Sequence, residues 1–314
     1  MIIDRFHCLY NSTYLIRSDF LIKIKVPAIL RLIILQTANV IIPLVLNSQK
    51  KDINFSLENA QNNRTDFIVS LTSFPKRIGK VHLVIESMLR QSYLPSRIIL
   101  WLSIEQFPSI DTLPQKLLDL RKRGLEIVLT EGDLRSYKKY FFLLKQQPEA
   151  GFIIIDDDVF YRSLMLENLI NTHDKYPKSV CANRCAIIDP SSKYSGWVGL
   201  KSENIEQRND LLPTGCGGVL YPPYSLHDDV LDDRLFTSIC SDADDIWLNV
   251  CAFLKGTAIV YTGKNEYLLA VNSSDNEHLH SKNVGESNND KRIKSVREHY
   301  SSTQQIDVFD RNVD

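Results

Sequence analysis

The sequence predicts an α/β fold: a mostly parallel sheet flanked by helices, preceded by an N-terminal helical extension. Three observations predict it. Between residues 66 and 155 short apolar runs alternate with stretches whose apolar residues recur at helical spacing. The runs are continuously apolar, as expected of parallel strands covered on both faces, and alternation of the two element types implies crossover connections. A long apolar stretch followed by a polar linker stands ahead of them.

That stretch, VPAILRLIILQTANVIIPLVLN at 26–47, follows Arg5, Arg17, Lys23 and Lys25 and precedes Lys50 and Lys51. Arg31, the central Gln36 and Asn39, and Pro27 and Pro43 shorten its uninterrupted part below the roughly 20 residues of a spanning helix. A cleaved signal peptide fits worse, because the apolar part begins far from Met1 and ends in Leu46-Asn47-Ser48. A helix packed on the following domain or lying in the membrane interface is expected, with peripheral membrane contact through 26–47. Residues 48–65, rich in Asn, Gln, Lys and Ser, read as linker.

FIVSL (67–71) is the first strand. Val81, Val84, Ile85, Met88 and Leu89 then mark one face of a helix, and RIILWLS (97–103) is the second strand. Leu117, Leu118 and Leu120 mark a helix that Gly124 can close before the third strand, LEIVLT (125–130). Tyr140, Phe141, Leu143 and Leu144 mark another, stopped near Pro148, and GFIII (151–155) is the fourth strand. In such sheets ligands bind beyond the carboxyl ends of the strands.

There stand Asp156, Asp157 and Asp158. Adjacent carboxylates repel one another, and a hard divalent cation offsets that charge. Residues at i and i+2 of an extended segment point the same way, so Asp156 and Asp158 can share one ligand. A solvated acidic loop is the plain alternative. A second pair, Asp244-Asp245, opens a helix whose apolar face is Trp247, Val250, Cys251 and Leu254, with Ser241 or Asp242 as its cap. These acids either complement the helix dipole or supply a general base, and local sequence leaves both open. Between the two sites PTGCGGVLYPP (213–223) brings backbone close to a ligand or to a neighbouring strand. No Gly-Lys-Ser/Thr follows, so it is not a P-loop.

Composition narrows the partners. In 314 residues, 37 Lys and Arg balance 38 Asp and Glu, for a formal charge of −1, which argues against gripping a nucleic-acid backbone. With 44% apolar residues the chain can bury a real core. Cys8, Cys181, Cys185, Cys216, Cys240 and Cys251 are scattered, and no second pair completes a zinc site around Cys181 and Cys185. They read as free thiols of a reducing compartment.

SLTSFPKRI (70–78), IESMLRQSYLPSRIILWLS (85–103), DLRSYKK (133–139), IIIDDDVFY (153–161), PTGCGGVLYPP (213–223) and ADDIWL (243–248), in this order, resemble bacterial GT-A-type glycosyltransferases, a family 2-like superfamily, of capsule and lipopolysaccharide assembly. The resemblance spans roughly residues 66–300. It implies a GT-A (Rossmann-like) catalytic domain at 66–275, between an N-terminal helical, membrane-associating segment with its linker (1–65) and a polar tail with a helix (276–314). It implies a nucleotide-diphosphate sugar donor, a glycan or lipid-linked glycan acceptor, and Mn²⁺ or Mg²⁺ held by Asp158, with Asp156 nearer the donor's ribose or the metal. Donor contacts are implied at Ser70, Thr72, Arg77, Asp133, Arg135, Lys138 or Lys139, Asp157, Gly217 and Gly218. Asp245 is implied as the base, with Asp244 beside it, and His280 or His278 as a further metal ligand. A cytoplasmic protein, peripheral on the inner face of the cytoplasmic membrane, is the matching expectation.

Three other readings compete. A sugar nucleotidyltransferase would carry a Gly-rich basic loop after the first strand, where this chain has TSFPKRIG. A glycoside hydrolase also uses two carboxylates, and only their separation would identify it. A non-catalytic binding or scaffold subunit would have no chemical reason to keep both acidic motifs.

Overall fold

The computed structural model describes residues 1–48, 63–264, 267–272 and 288–311. Four parallel strands, β1 (Ile68–Thr72), β2 (Arg97–Ser103), β3 (Leu125–Thr130) and β4 (Phe152–Ile154), lie in the order β3-β2-β1-β4. The sheet continues through β11 (Val219–Tyr221), antiparallel to both neighbours, to β6 (Val180–Ala182), β12 (Ile259–Tyr261) and β9 (Glu206–Arg208), eight strands in all. The chain leaves β1 toward β2 and β3, then returns to place β4 on the other side of β1. The strand order therefore reverses between β1 and β4, the switch point at which such sheets open a ligand crevice.

Side-chain alternation explains the two covered faces. Val69, Leu71, Ile98, Leu100 and Leu102 face the helix α4 (Val81–Met88), while Ile68, Ile99 and Trp101 face the side where α9 (Asp244–Leu254) packs. Every residue of α4 is buried; α3 (Val26–Ser48) packs against it, α1 (Ile2–Ser12) packs on α3, and Ile3, Phe6, Ala38, Ile42 and Leu46 join the same core. Glu86 on α4 is fully buried and is held by Arg123 at 2.6 Å and Arg90 at 3.3 Å. On the opposite face the C-terminal helix α10 (Asn288–Gln304) buries Ile293, Val296 and Tyr300, the three residues whose spacing suggests it in sequence.

Local expectations are met at β1 to β4, and Gly124 closes its helical segment with φ +98°, as a residue without Cβ can. Two are corrected. Pro27 and Pro43 do not interrupt the apolar stretch: α3 is one helix of 23 residues, long and apolar enough by length and composition to cross a membrane. Pro27 sits in its first turn, where a missing N–H costs nothing, and the polar residues at its middle face the body. Asn39 donates to the Ala270 carbonyl at 2.9 Å and accepts the Asn272 N–H at 2.7 Å. Neither Ser241 nor Asp242 caps α9; its N-cap is Ala243, and the Asp242 carboxylate is taken by Arg135 and Arg292.

Smaller strands frame the crevice. β5 (Val159–Phe160) pairs with β13 (Leu269–Ala270), and β7 (Cys185–Ile187) lies between β8 (Val198–Gly199) and β10 (Leu211–Pro213).

Candidate active site

β4 ends at the switch point, and the three aspartates that follow it are handled separately. Asp157 is buried and both its oxygens are spent: Oδ2 accepts from Ser73 Oγ at 2.6 Å and Oδ1 from Arg77 Nη1 at 2.8 Å. Asp157 thereby joins the β4 end to the loop after β1. Arg77 Nη1 also reaches Asp158 Oδ2 at 2.9 Å. Burial alone would lower the affinity of Arg77 for its proton, but Asp157 and Asp158 outweigh it and keep the guanidinium charged. Asp158 is pushed up by burial and by the charge of Asp156.

The second acidic motif joins the first through one lysine. Lys139 is buried, and its Nζ lies 2.6 Å from Asp156 Oδ1 and 3.1 Å from Asp244 Oδ2. Burial lowers its proton affinity, but Asp156, Asp244 and Asp245 more than offset this, so the ammonium stays charged. Asp245, next along the first turn of α9, accepts the Gly215 N–H at 2.9 Å. Burial and the neighbouring Asp244 push its carboxyl up to about 8, against the opposing pull of Lys139. Gly215 sits close against both acidic motifs: a Cβ there would stand 3.2 Å from Asp245 Oδ1 and 3.4 Å from Asp156 Oδ1. The Asp156 N–H is in turn fixed by Tyr161 Oη at 2.9 Å.

Other expected donor contacts lie elsewhere. Ser70 is fully buried inside the sheet, its hydroxyl bonded to the Lys139 carbonyl and accepting from Trp101 Nε1 at 2.9 Å. Thr72, at the end of β1, donates to the Trp101 carbonyl at 2.8 Å. Lys138 points away from its neighbour and pairs with Asp133, which also accepts from Gln106 at 2.6 Å and from the Arg135 N–H at 3.1 Å. This group stands beyond β2 and β3 and touches neither acidic motif. Gly217 and Gly218 face protein: a Cβ on Gly217 would meet Arg184 Cβ at 2.5 Å, and one on Gly218 would meet Met165 Sδ at 2.7 Å. These two glycines serve packing, whereas Gly215 serves the site. His278 and His280 lie outside the described residues.

Sequence reasoning missed Gly215, Ser73 and Tyr161 as site residues. All three lie inside motifs it quoted, yet nothing local distinguishes Gly215 from Gly217 or Gly218.

Among the described residues, no three His, Cys, Asp or Glu side chains group as a metal cage. The donor set nevertheless suits a hard cation of the kind that keeps one or two carboxylates and completes its shell with water and phosphate. Lys139 takes one oxygen of Asp156 and Arg77 one of Asp158, which leaves the second oxygen of each for such an ion.

Neither a protein-family model nor a curated protein matches the sequence significantly. Among solved structures, residues 1–349 of S. aureus TarS align with a TM-score of 0.46 at 15% identity, over 76% of this chain and 75% of that one. The same TarS segment with UDP gives 0.45 at 14%, over 77% and 73%. The mannosyltransferase PcManGT of Pyrobaculum calidifontis, with GDP-Man and Mn²⁺, gives 0.45 at 12%, over 87% and 75%.

Proposed function

We propose that the chain is a metal-dependent glycosyltransferase that moves a sugar from a nucleotide-diphosphate donor to a glycan or lipid-linked glycan acceptor. The observation that carries this reading is the Lys139 bridge. One buried ammonium ties Asp156 to Asp244 at the switch point, so a carboxylate pair suited to a cation and diphosphate shares a site with a carboxylate suited to take a proton.

Mn²⁺ or Mg²⁺ held by Asp156 and Asp158 would supply Lewis-acid neutralisation of the leaving diphosphate. Arg77 orients Asp158, and Lys139 adds positive charge beside Asp156. Asp245, oriented by the Gly215 N–H, takes the proton of the acceptor hydroxyl as that oxygen attacks the anomeric carbon. Its raised proton affinity suits that role, because a weakly acidic carboxyl is a stronger base. The finer assignment to capsule or lipopolysaccharide assembly rests on the order of the sequence motifs.

Peripheral attachment to the inner face of the cytoplasmic membrane belongs to the same proposal. One face of α3 packs on the body through Ala38, Ile42 and Leu46, while Ile33, Val40 and Leu44 on the other are exposed. Beside them α2 (Asp19–Lys23) and its flanks expose Phe20, Ile22 and Ile24 among Arg17, Lys23 and Lys25. An exposed apolar face rimmed by cations suits an anionic bilayer.

A thermal-shift screen of nucleoside diphosphates and their sugars, with and without Mn²⁺, tests the catalytic reading. A rise in Tm that needs both nucleotide and Mn²⁺, and that Asp158→Ala abolishes, is expected. No response to any donor overturns it in favour of a non-catalytic subunit.

A further inference from the structure

The two carboxylates assigned to the cation both rest on the ribbon formed by β5 and β13. The Asp158 carbonyl accepts the Val271 N–H at 2.8 Å, and Val159 and Phe160 pair with Ala270 and Leu269. Tyr161, the next residue, fixes the Asp156 N–H through its hydroxyl at 2.9 Å. This ribbon is a separate two-stranded sheet, with two residues in each strand. A two-stranded pair is marginal at best unless it packs on something else. Order at Asp156 and Asp158 therefore depends on what grips the ribbon's outer edges.

The N-terminal helices grip both edges. On α3 the Asn39 carboxamide donates to the Ala270 carbonyl and accepts the Asn272 N–H, the pair of bonds that a neighbouring strand would make. On α1 the Asn11 carboxamide treats Tyr267 in the same way, donating to its carbonyl at 3.1 Å and accepting its N–H at 2.9 Å. The β5 side is held by α1 as well: His7 Nε2 lies 2.6 Å from the Phe160 carbonyl, and Asp4 accepts the Ser163 N–H at 2.9 Å. These contacts join residues 153 or more positions apart, so they form only when the extension docks on the body.

We propose that Asn39 and Asn11 are positioning residues of the catalytic site, acting through β13 to keep Asp158 and Asp156 set for the cation. The inference rests on the metal-dependent reading above. Neither asparagine is assigned to the cation; each bonds to the backbone of the segment that pairs with the metal motif. A side chain that only stabilised the fold would leave the affinity for metal unchanged. One that orients a ligand-bearing segment changes that affinity by about tenfold or more. The outer face of α3, with Ile33, Val40 and Leu44, is exposed. The helix proposed to lie on the bilayer is thus also a helix that sets the site.

Titration of the full chain with Mn²⁺ alone, followed by water-proton relaxation, tests it together with amide exchange of the same protein free of metal. Asn39→Ala is expected to weaken by about tenfold the Mn²⁺ site that Asp158→Asn removes. It should also speed exchange at Val271 and over 156–163 while β1, β2 and β3 keep their protection. Asn11→Ala, at the other end of β13, should act in the same direction. Where Asn39→Ala speeds exchange throughout the sheet, that variant has lost its fold and Asn11→Ala decides. Unchanged Mn²⁺ affinity overturns the proposal even if exchange is faster, because the contacts are then structural only. Weaker Mn²⁺ binding without faster exchange at Val271 also overturns it, since the effect does not pass through β13. A wild type with no Mn²⁺ site sensitive to Asp158→Asn overturns the metal reading and this proposal with it, a failure seen before either asparagine is changed.

Discussion

Lys138 and Lys139 are neighbours of one type, yet they do different work. Lys138 pairs with Asp133 at the rim, and Lys139 joins the two acidic motifs. Removing the Lys139 charge leaves Asp156 and Asp244 to face each other without their shared cation. For a pair buried to this degree the expected cost is about 3 kcal/mol. Urea unfolding of Lys139→Met should therefore show a lower midpoint at an unchanged m-value; a midpoint equal to wild type would remove the bridge from the stability of the site. Asp245 is a different test, because its role is in the reaction. Asp245→Asn keeps size and its hydrogen bond from Gly215, so nucleotide binding should persist while turnover falls by about 10² to 10⁴. Normal rates would return Asp245 to pairing with the helix dipole.

At the scale of elements, α1 is fastened to the body by a group that titrates. His7 is buried against the Phe160 carbonyl, and burial pushes its pKa down to about 4 from 6.5. As pH falls from 6.5 the unfolded chain binds this proton before the folded one does. The contribution of His7 to stability is therefore complete above about pH 6.5 and is lost progressively as pH falls toward 4. Limited proteolysis of α1 should accelerate over that interval, and His7→Gln, which can still donate to the carbonyl, should flatten the profile. An unchanged rate between pH 7 and pH 4 would contradict it. The glycines make a related point about elements. Gly217 and Gly218 let β7 and α7 (Met165–His173) approach the glycine-rich segment, and only Gly215 meets the acidic site.

On the scale of the molecule, the sheet carries one helical layer on each face, and the N-terminal helices add a further layer over α4. This places the apolar outer face of α3 on the surface of the assembly while its inner face belongs to the core. Ile33→Glu with Val40→Glu should abolish co-sedimentation with phosphatidylglycerol vesicles and leave nucleotide binding unchanged; retained sedimentation would exclude this face. Much of the architecture is legible in sequence, since helical and strand periodicities are local and depend on side chains a few residues apart. So are the strand end bearing Asp156 to Asp158 and the helix start bearing Asp244 and Asp245. The sequence by itself determined the order of strands and helices and the presence of two acidic motifs. Tertiary structure alone decided that they form one site, that Lys139 rather than Lys138 joins them, that Ser70 and Asp157 are spent internally, and that Pro43 sits inside an unbroken helix. Those outcomes depend on contacts such as Lys139 with Asp156 and Asp244, 17 and 105 residues away, and no local pattern encodes a partner at that distance.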